Sequence, residues 1–100
     1  MKIAADLCLI PIGVGVSLSE HVAIAIQVLR ARGLSPRTHA HGTSVEGDYE
    51  QVFSALKEAI EAVHAAGVPR ISTSIKLSSR IDRAQSDADK VASIERRLGS

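Results

Sequence analysis

Aromatic residues, cysteine and an excess of charge of either sign are all scarce in this 100-residue chain. Tyr49 and Phe53 are the only aromatic residues, which argues against a stacking surface for nucleic-acid bases and against a carbohydrate site lined with rings. Twelve Lys and Arg against eleven Asp and Glu leave a formal net charge of +1. Neither nucleic acid nor an anionic membrane surface is therefore an expected partner.

The chain also lacks paired cysteines and long apolar runs. Cys8 is the only cysteine, so an internal disulfide is impossible and a reducing, cytoplasmic location is expected. Asp6 and Pro11 interrupt the apolar N-terminal stretch, and no run approaches the roughly 20 residues of a membrane helix. With 45% hydrophobic and 23% charged residues, the composition is that of one folded domain spanning residues 1–100.

The N-terminal half predicts a strand, a helix and two short strands. Residues 3–12 are apolar at nearly every position, as in a strand buried on both faces. Ser17 and Glu20 fit a capping box for a helix that ends at Gly33. We interpret residues 34–41 as a strand and residues 43–46 as its return strand, with Gly42 permitting the reversal between them.

The C-terminal half predicts a helix, a strand and a last short helix. Asp48 and Gln51 form a second cap, and an apolar stripe follows at three- and four-residue steps. The stripe consists of Tyr49, Val52, Phe53, Leu56, Ile60 and Val63. Residues 71–78 alternate strictly between apolar and polar side chains, which is typical of a strand. Ser86 then caps a helix that carries Val91, Ile94 and Leu98.

This order of elements predicts an α+β fold, the ferredoxin-like βαββαβ split unit. Two main helices cover one face of a four-stranded antiparallel sheet, and a short C-terminal helix is added. Because the first strand is apolar on both faces, the second face also needs a cover. The C-terminal helix can supply part of that cover, and we predict that another copy of the chain supplies the rest.

Residues 42–48 are the most informative stretch for function, because hydroxyls, carboxylates and glycines fall between a strand and a helix. Thr43 and Ser44 can donate and accept, Glu46 can accept or oppose a cation, and glycines let a ligand approach the backbone. Lys76, on the polar side of the last strand, either pairs with Glu46 or is solvated. Asp48 is interpreted as the helix cap. The alternative is a turn without a ligand.

Two histidines suggest a second hypothesis. His39 and His41 are two residues apart on the predicted strand, so both side chains would point to one face and supply two metal ligands. A closed site needs about four ligands. Cys8 or a histidine of another subunit would have to complete it, and the alternative is a pair of polar residues without a metal.

Several motifs resemble the thiamine-binding protein family, a group of small ferredoxin-like proteins once known only as uncharacterised. They are, in chain order, Pro11-Ile12-Gly13, Gly42-Thr43-Ser44-Val45-Glu46-Gly47, His64-x-x-Gly67-x-x-Arg70-Ile71, Thr73-x-Ile75-Lys76, Arg80 and Lys90-Val91. Their order and spacing match over nearly the whole chain, and the Gly-Thr-x-x-Glu-Gly element is the most specific of them.

The resemblance implies a homodimer or homotetramer that binds thiamine or its hydroxymethylpyrimidine part near subunit contacts, without catalysis or a cofactor. Carried over onto this sequence, it implies Thr43 and Glu46 as the principal ligand contacts, with Lys76 as a further one. Ser44 and His41 complete the predicted set, since an aminopyrimidine offers an amine and ring nitrogens for polar groups and a ring for stacking. A structural or regulatory oligomer without a small ligand is the alternative.

Overall fold

The computed structural model describes residues 1–15, 19–82 and 87–99, which form four strands and three helices. The strands are β1 (Lys2–Ile12), β2 (Arg37–His39), β3 (Gly42–Asp48) and β4 (Arg70–Ser79). The helices are α1 (Ser19–Ala31), α2 (Tyr49–Ala65) and α3 (Asp87–Leu98). No helix within these described ranges has the length and apolar character to cross a membrane.

The strands form one antiparallel sheet in the order β2-β3-β1-β4. This order confirms the ferredoxin-like split unit, because each half contributes a strand, a crossover helix and a second strand. β1 lies in the interior of the sheet and is paired on both sides, with Asp6 opposite Ser44 of β3 and Lys76 of β4. Alternate residues of β1 therefore occupy the middle of the two sheet faces.

One face of the sheet, here called the covered face, packs against α1 and α2. The largest fully buried side chains of the protein are Leu7, Leu29, Val45, Val52, Val63 and Val68. β1 contributes Leu7, and β3 contributes Val45, while the apolar stripe of α2 supplies most of the opposite layer. The periodicity of α2 thus predicted its packing face, although Tyr49 at its start is exposed and stacks on Phe53 with ring centroids 4.9 Å apart.

The described helix ends lie where the sequence predicted them, but the predicted capping hydrogen bonds do not all form. Gly33 follows α1 with a φ of +85°, the left-handed conformation expected there. Asp48 is the N-cap residue of α2, but its side chain makes no capping hydrogen bond, and Gln51 instead donates from Nε2 to the Arg32 carbonyl at 3.2 Å. Asp48 thus takes the predicted cap position, but the predicted cap bonding of Asp48 and Gln51 does not form. Ser17 and Ser86, the other predicted caps, lie outside the described residues.

β2 is shorter than the strand predicted over residues 34–41. Pairing of His39 with Gly42 leaves Ala40 and His41 as a two-residue turn. The His41 backbone N–H donates to His39 Nδ1 at 3.2 Å, and this local bond closes the turn. His39 and His41 consequently do not share a strand face, which corrects the geometry proposed for a metal site.

The other face of the sheet, here called the open face, has α3 beside it and no other helix of the described residues. Lys90 of α3 donates from Nζ to Ser78 Oγ on β4 at 3.4 Å. Ile10 and Ile12 of β1 stay 43% and 38% exposed on this face, and the apolar side of α3 is exposed as well. The second face is thus apolar at one end and incompletely covered by the described residues, as its sequence predicted.

Candidate ligand-binding site

A groove of about 570 Å³ lies on the open face. All four strands and α3 contribute residues to its lining, and β3 contributes Ser44. The strand register brings its polar residues into one row across the sheet. Arg37 pairs with Ser44, Ser44 with Asp6, and Asp6 with Lys76. Neighbouring strands lie about 4.8 Å apart, so these four side chains are close neighbours on the same face.

Asp6 is the centre of the polar row. His39 Nε2 lies 2.6 Å from Asp6 Oδ1, and Ser44 Oγ donates to the same oxygen at 3.5 Å. Asp6 Oδ2 accepts no hydrogen bond from the described residues. The side chains of Asp6 and His39 are each 40% exposed, so solvent and ligands can reach this carboxylate.

Two contacts fix the orientation of the His39 ring. Its Nδ1 accepts from the His41 backbone N–H at 3.2 Å, and its Nε2 lies 2.6 Å from Asp6 Oδ1. The imidazole therefore holds the Asp6 carboxylate in one orientation.

Glu46 lies beside the groove. It pairs with Ala4 across β1 and β3, and Arg37 Nη2 lies 3.4 Å from its Oε1. β1 separates Glu46 from Lys76 on β4, and Lys76 is opposite Asp6. The sequence left open whether Lys76 pairs with Glu46 or is solvated. The pair does not form, because Arg37 holds Glu46 on the β2 side of β1, whereas Lys76 lies on the β4 side.

The structure divides the predicted site residues between two places. Ser44 and Lys76 line the groove, and Glu46 joins it through Arg37. Thr43 points to the covered face, where it is only 6% exposed, because neighbouring residues of a strand face opposite sides. Thr43 and His41 line a second cavity of about 390 Å³ between α1 and the β2–β3 hairpin. Their roles as ligand contacts stay predictions.

The glycines of the central motif are explained by packing within the protein. A Cβ on Gly42 would lie 2.6 Å from the Leu7 carbonyl oxygen, and one on Gly47 would lie 2.9 Å from Leu34 Cδ2. Real Cβ atoms do not approach neighbours so closely. The sequence-based interpretation assigned these glycines to close approach by a ligand, whereas here the partner they accommodate is the chain itself.

The sequence-based set of ligand contacts omitted five polar groove residues, namely Asp6, Arg37, His39, Ser78 and Lys90. Asp6 drew notice only as a charge within an apolar strand, although a carboxylate at a half-buried strand position is itself a signal of a polar site. His39 was considered only for metal, and Lys90 only as part of a motif. Within the described ranges, no three His, Cys, Asp or Glu side chains are grouped closely enough to hold a metal ion.

Arg80 of the motif series lies just after β4 and outside the groove. Its Nε and Nη2 donate to Asp82 at 2.6 and 3.0 Å. The pKa of Arg80 is raised, first by the hydrogen bond to Asp82 and then by the charge of that carboxylate. An arginine is protonated in any case, so this pair fixes the chain end of β4 and does not alter the charge of the groove.

Comparison with known proteins assigns this architecture to a family. The model of a family described as thiamine-binding protein matches residues 5–95. A protein of Synechocystis sp. named UPF0045 protein sll0230 is 47% identical over 95 residues, covering 95% of this chain and 78% of that protein. The UPF0045 protein MJ1052 of Methanocaldococcus jannaschii is 37% identical, with 97% of this chain and 89% of that protein covered. The chain belongs to the thiamine-binding protein family.

Solved structures show the same fold. The crystal structure of MJ1052 superposes with a TM-score of 0.85 at 35% identity, covering 93% of this chain and 95% of that one. A candidate thiamine biosynthesis and salvage protein of Thermotoga maritima gives a TM-score of 0.80 at 18% identity, covering 94% and 99%. At that identity the second likeness shows the fold alone.

Proposed function

We propose that this chain is a cytoplasmic, oligomeric protein that binds thiamine or its hydroxymethylpyrimidine part in the open-face groove, without transforming it. The observation that carries the proposal is the Asp6 carboxylate. One of its oxygens is held by His39 and Ser44, while Oδ2 has no donor among the described residues. Membership in the thiamine-binding protein family supports the ligand class.

The polar groups of the groove match those of an aminopyrimidine. The exocyclic amine is a donor for Asp6 Oδ2, and the ring nitrogens are acceptors for the Ser44 hydroxyl. A charged acceptor strengthens such a hydrogen bond relative to a neutral one. His39 holds the carboxylate in place, so the acceptor is pre-oriented before the ligand arrives.

The same geometry supports binding without catalysis. A nucleophilic serine needs a base within hydrogen-bonding reach. Ser44 Oγ bonds to Asp6, and both imidazole nitrogens of His39 are already engaged, one by Asp6 and one by the His41 backbone. The three groups therefore form a positioning network rather than a relay from serine to histidine.

Exposed apolar surface supports assembly into a homodimer or homotetramer. Ile10 and Ile12 lie on the open face, and Val91, Ile94 and Leu98 of α3 are all more than half exposed. The Cα radius of gyration is 15.0 Å. About 13 Å is typical of a compact domain of 100 residues. A second copy covering the open face would bury these residues and place the groove near a subunit contact.

Isothermal titration calorimetry of the ligand-free protein with thiamine and with hydroxymethylpyrimidine tests the proposal. We expect saturable binding, and Asp6→Asn should weaken it by about tenfold or more, because a charged hydrogen bond contributes roughly 1.5–3 kcal/mol. Glu61→Gln on α2, an exposed acid on the far side of the sheet, is the matched control. Folded protein without heat for either compound would overturn the proposal.

The alternative is a structural or regulatory oligomer without a small ligand, and the exposed isoleucines of β1 favour it. Ile12→Lys should then shift the mass measured by light scattering toward the monomer. If the variant dissociates while the wild-type protein binds neither compound, assembly alone is the function. If wild-type protein binds and Asp6→Asn does not, the ligand site is supported whatever the oligomeric state.

A further inference from the structure

The groove carries more positive than negative charge. Arg37, Lys76 and Lys90 line it, whereas Asp6 is the only carboxylate among its lining residues within the described part of the chain. A ligand with a net positive charge, such as free thiamine with its thiazolium ring, would meet repulsion from the groove as a whole.

The three cationic side chains of the groove differ in their interaction partners. Arg37 is engaged with Glu46 at 3.4 Å. Lys90 reaches only a neutral partner, Ser78 Oγ at 3.4 Å, and neither Lys76 nor Lys90 forms an ion pair with a described residue. On the β4–α3 side of the groove, two ammonium groups are therefore present and neither forms an ion pair with the residues that the structure describes.

The two lysines lie close enough to act on one anion. Lys76 and Ser78 are two residues apart on β4, so they face the same side of the sheet about 7 Å apart along the strand. Lys90 Nζ reaches Ser78 from α3, and its flexible stem can turn toward Lys76. On the other side Lys76 is opposite Asp6, one strand spacing away. An anion between the lysines would thus lie directly beside the carboxylate proposed to hold the pyrimidine.

We infer that the β4–α3 side of the groove binds a phosphate monoester, so that a phosphorylated pyrimidine binds more tightly than the free base or free thiamine. The inference rests on the proposed function for the position of the ring at Asp6 and Ser44. Lys76 and Lys90 would each give a charge-assisted hydrogen bond to phosphate oxygens. The pyrimidine ring would then bind the Asp6 carboxylate and the phosphate would bind the two lysines. These opposite charges are neighbours on the open face.

The test compares hydroxymethylpyrimidine with its phosphate monoester by calorimetry at one ionic strength. The ester should bind about tenfold more tightly, because each charged hydrogen bond contributes roughly 1.5–3 kcal/mol before screening. Lys76→Gln and Lys90→Gln should each lower the affinity for the ester more than the affinity for the free base, and so remove most of that difference. Lys57→Gln on the exposed side of α2 is the matched control and should change neither affinity.

The outcomes separate this inference from the proposed function. Absence of binding by both compounds overturns the proposed function. Equal or weaker binding of the ester, or a preference for the ester that survives both lysine substitutions, overturns the inference and leaves the pyrimidine site intact. Inorganic phosphate is the third probe, and if it binds as tightly as the ester, the anion site is independent of the pyrimidine and the assigned ligand class is wrong.

Discussion

The two faces of the sheet differ in what their residues do, although the same strands build both. On the covered face Leu7 and Val45 are almost fully buried against two helices. On the open face the neighbouring residues Asp6 and Ser44 are half-buried and hydrogen-bonded to each other. A step of one residue along β1 or β3 therefore changes a residue from a contributor to stability into a candidate ligand contact.

This difference separates two kinds of constraint on the sequence. The covered face tolerates any set of apolar side chains that fills its volume, because packing is non-directional. The open face depends on direction and charge, since the Asp6 carboxylate is oriented by one particular imidazole at 2.6 Å. Substitutions on the covered face should change the free energy of unfolding, and those on the open face should change binding.

The largest expected effect is that of truncating the covered face. Leu7→Ala should lower the free energy of unfolding by about 2–5 kcal/mol, because it removes a fully buried side chain and leaves a cavity. Ser44→Ala, one strand away on the open face, should stay within about 0.5 kcal/mol. Urea denaturation at a fixed protein concentration measures both. Equal losses in the two variants would contradict the division between the faces.

The covered face was predictable from the sequence because its signal is periodic. The apolar stripe of α2 and the alternation of residues 71–78 needed no knowledge of partners. The open face was less predictable because its contacts depend on register. Asp6 and His39 are separated by 33 residues along the chain, and only the pairing of β3 with both β1 and β2 brings them together.

The central motif is divided between the two faces of the sheet. Thr43 and Glu46 are close in sequence and were predicted as contacts of one site, whereas strand alternation places Thr43 on the covered face and Glu46 on the open face. This separation follows from the predicted return strand over residues 43–46, because residues an odd number of positions apart on a strand face opposite sides. Ser44, its neighbour on the polar side, was the better guide to the groove.

A smaller effect is expected from a glycine of that motif. Gly42→Ala should cost about 1–3 kcal/mol of unfolding free energy, because its Cβ would lie 2.6 Å from the Leu7 carbonyl oxygen and the two strands would have to shift. Thermal and urea unfolding check the change. If Gly42→Ala unfolds like the wild-type protein but binds no pyrimidine, the glycine accommodates a ligand and its packing explanation is wrong.

The smallest expected effect concerns an ion pair in the helix layer, which sharpens the contrast with Asp6. Arg32 Nη1 lies 3.0 Å from Glu58 Oε2, and both side chains are about half exposed. Glu58→Gln should change the unfolding free energy by less than about 0.5 kcal/mol, because solvent screens exposed pairs.

Two further bonds explain why this junction should survive the substitution. Arg32 also donates to Ser54 Oγ at 2.6 Å, and its carbonyl accepts from Gln51 at 3.2 Å, so the end of α1 stays attached to α2. The same replacement of a carboxylate by an amide should then have different effects at Glu58 and at Asp6. At Glu58 it leaves both unfolding and pyrimidine affinity unchanged, whereas at Asp6 it removes the acceptor. A loss of affinity in Glu58→Gln would show that binding depends on the helix layer and not on the open face.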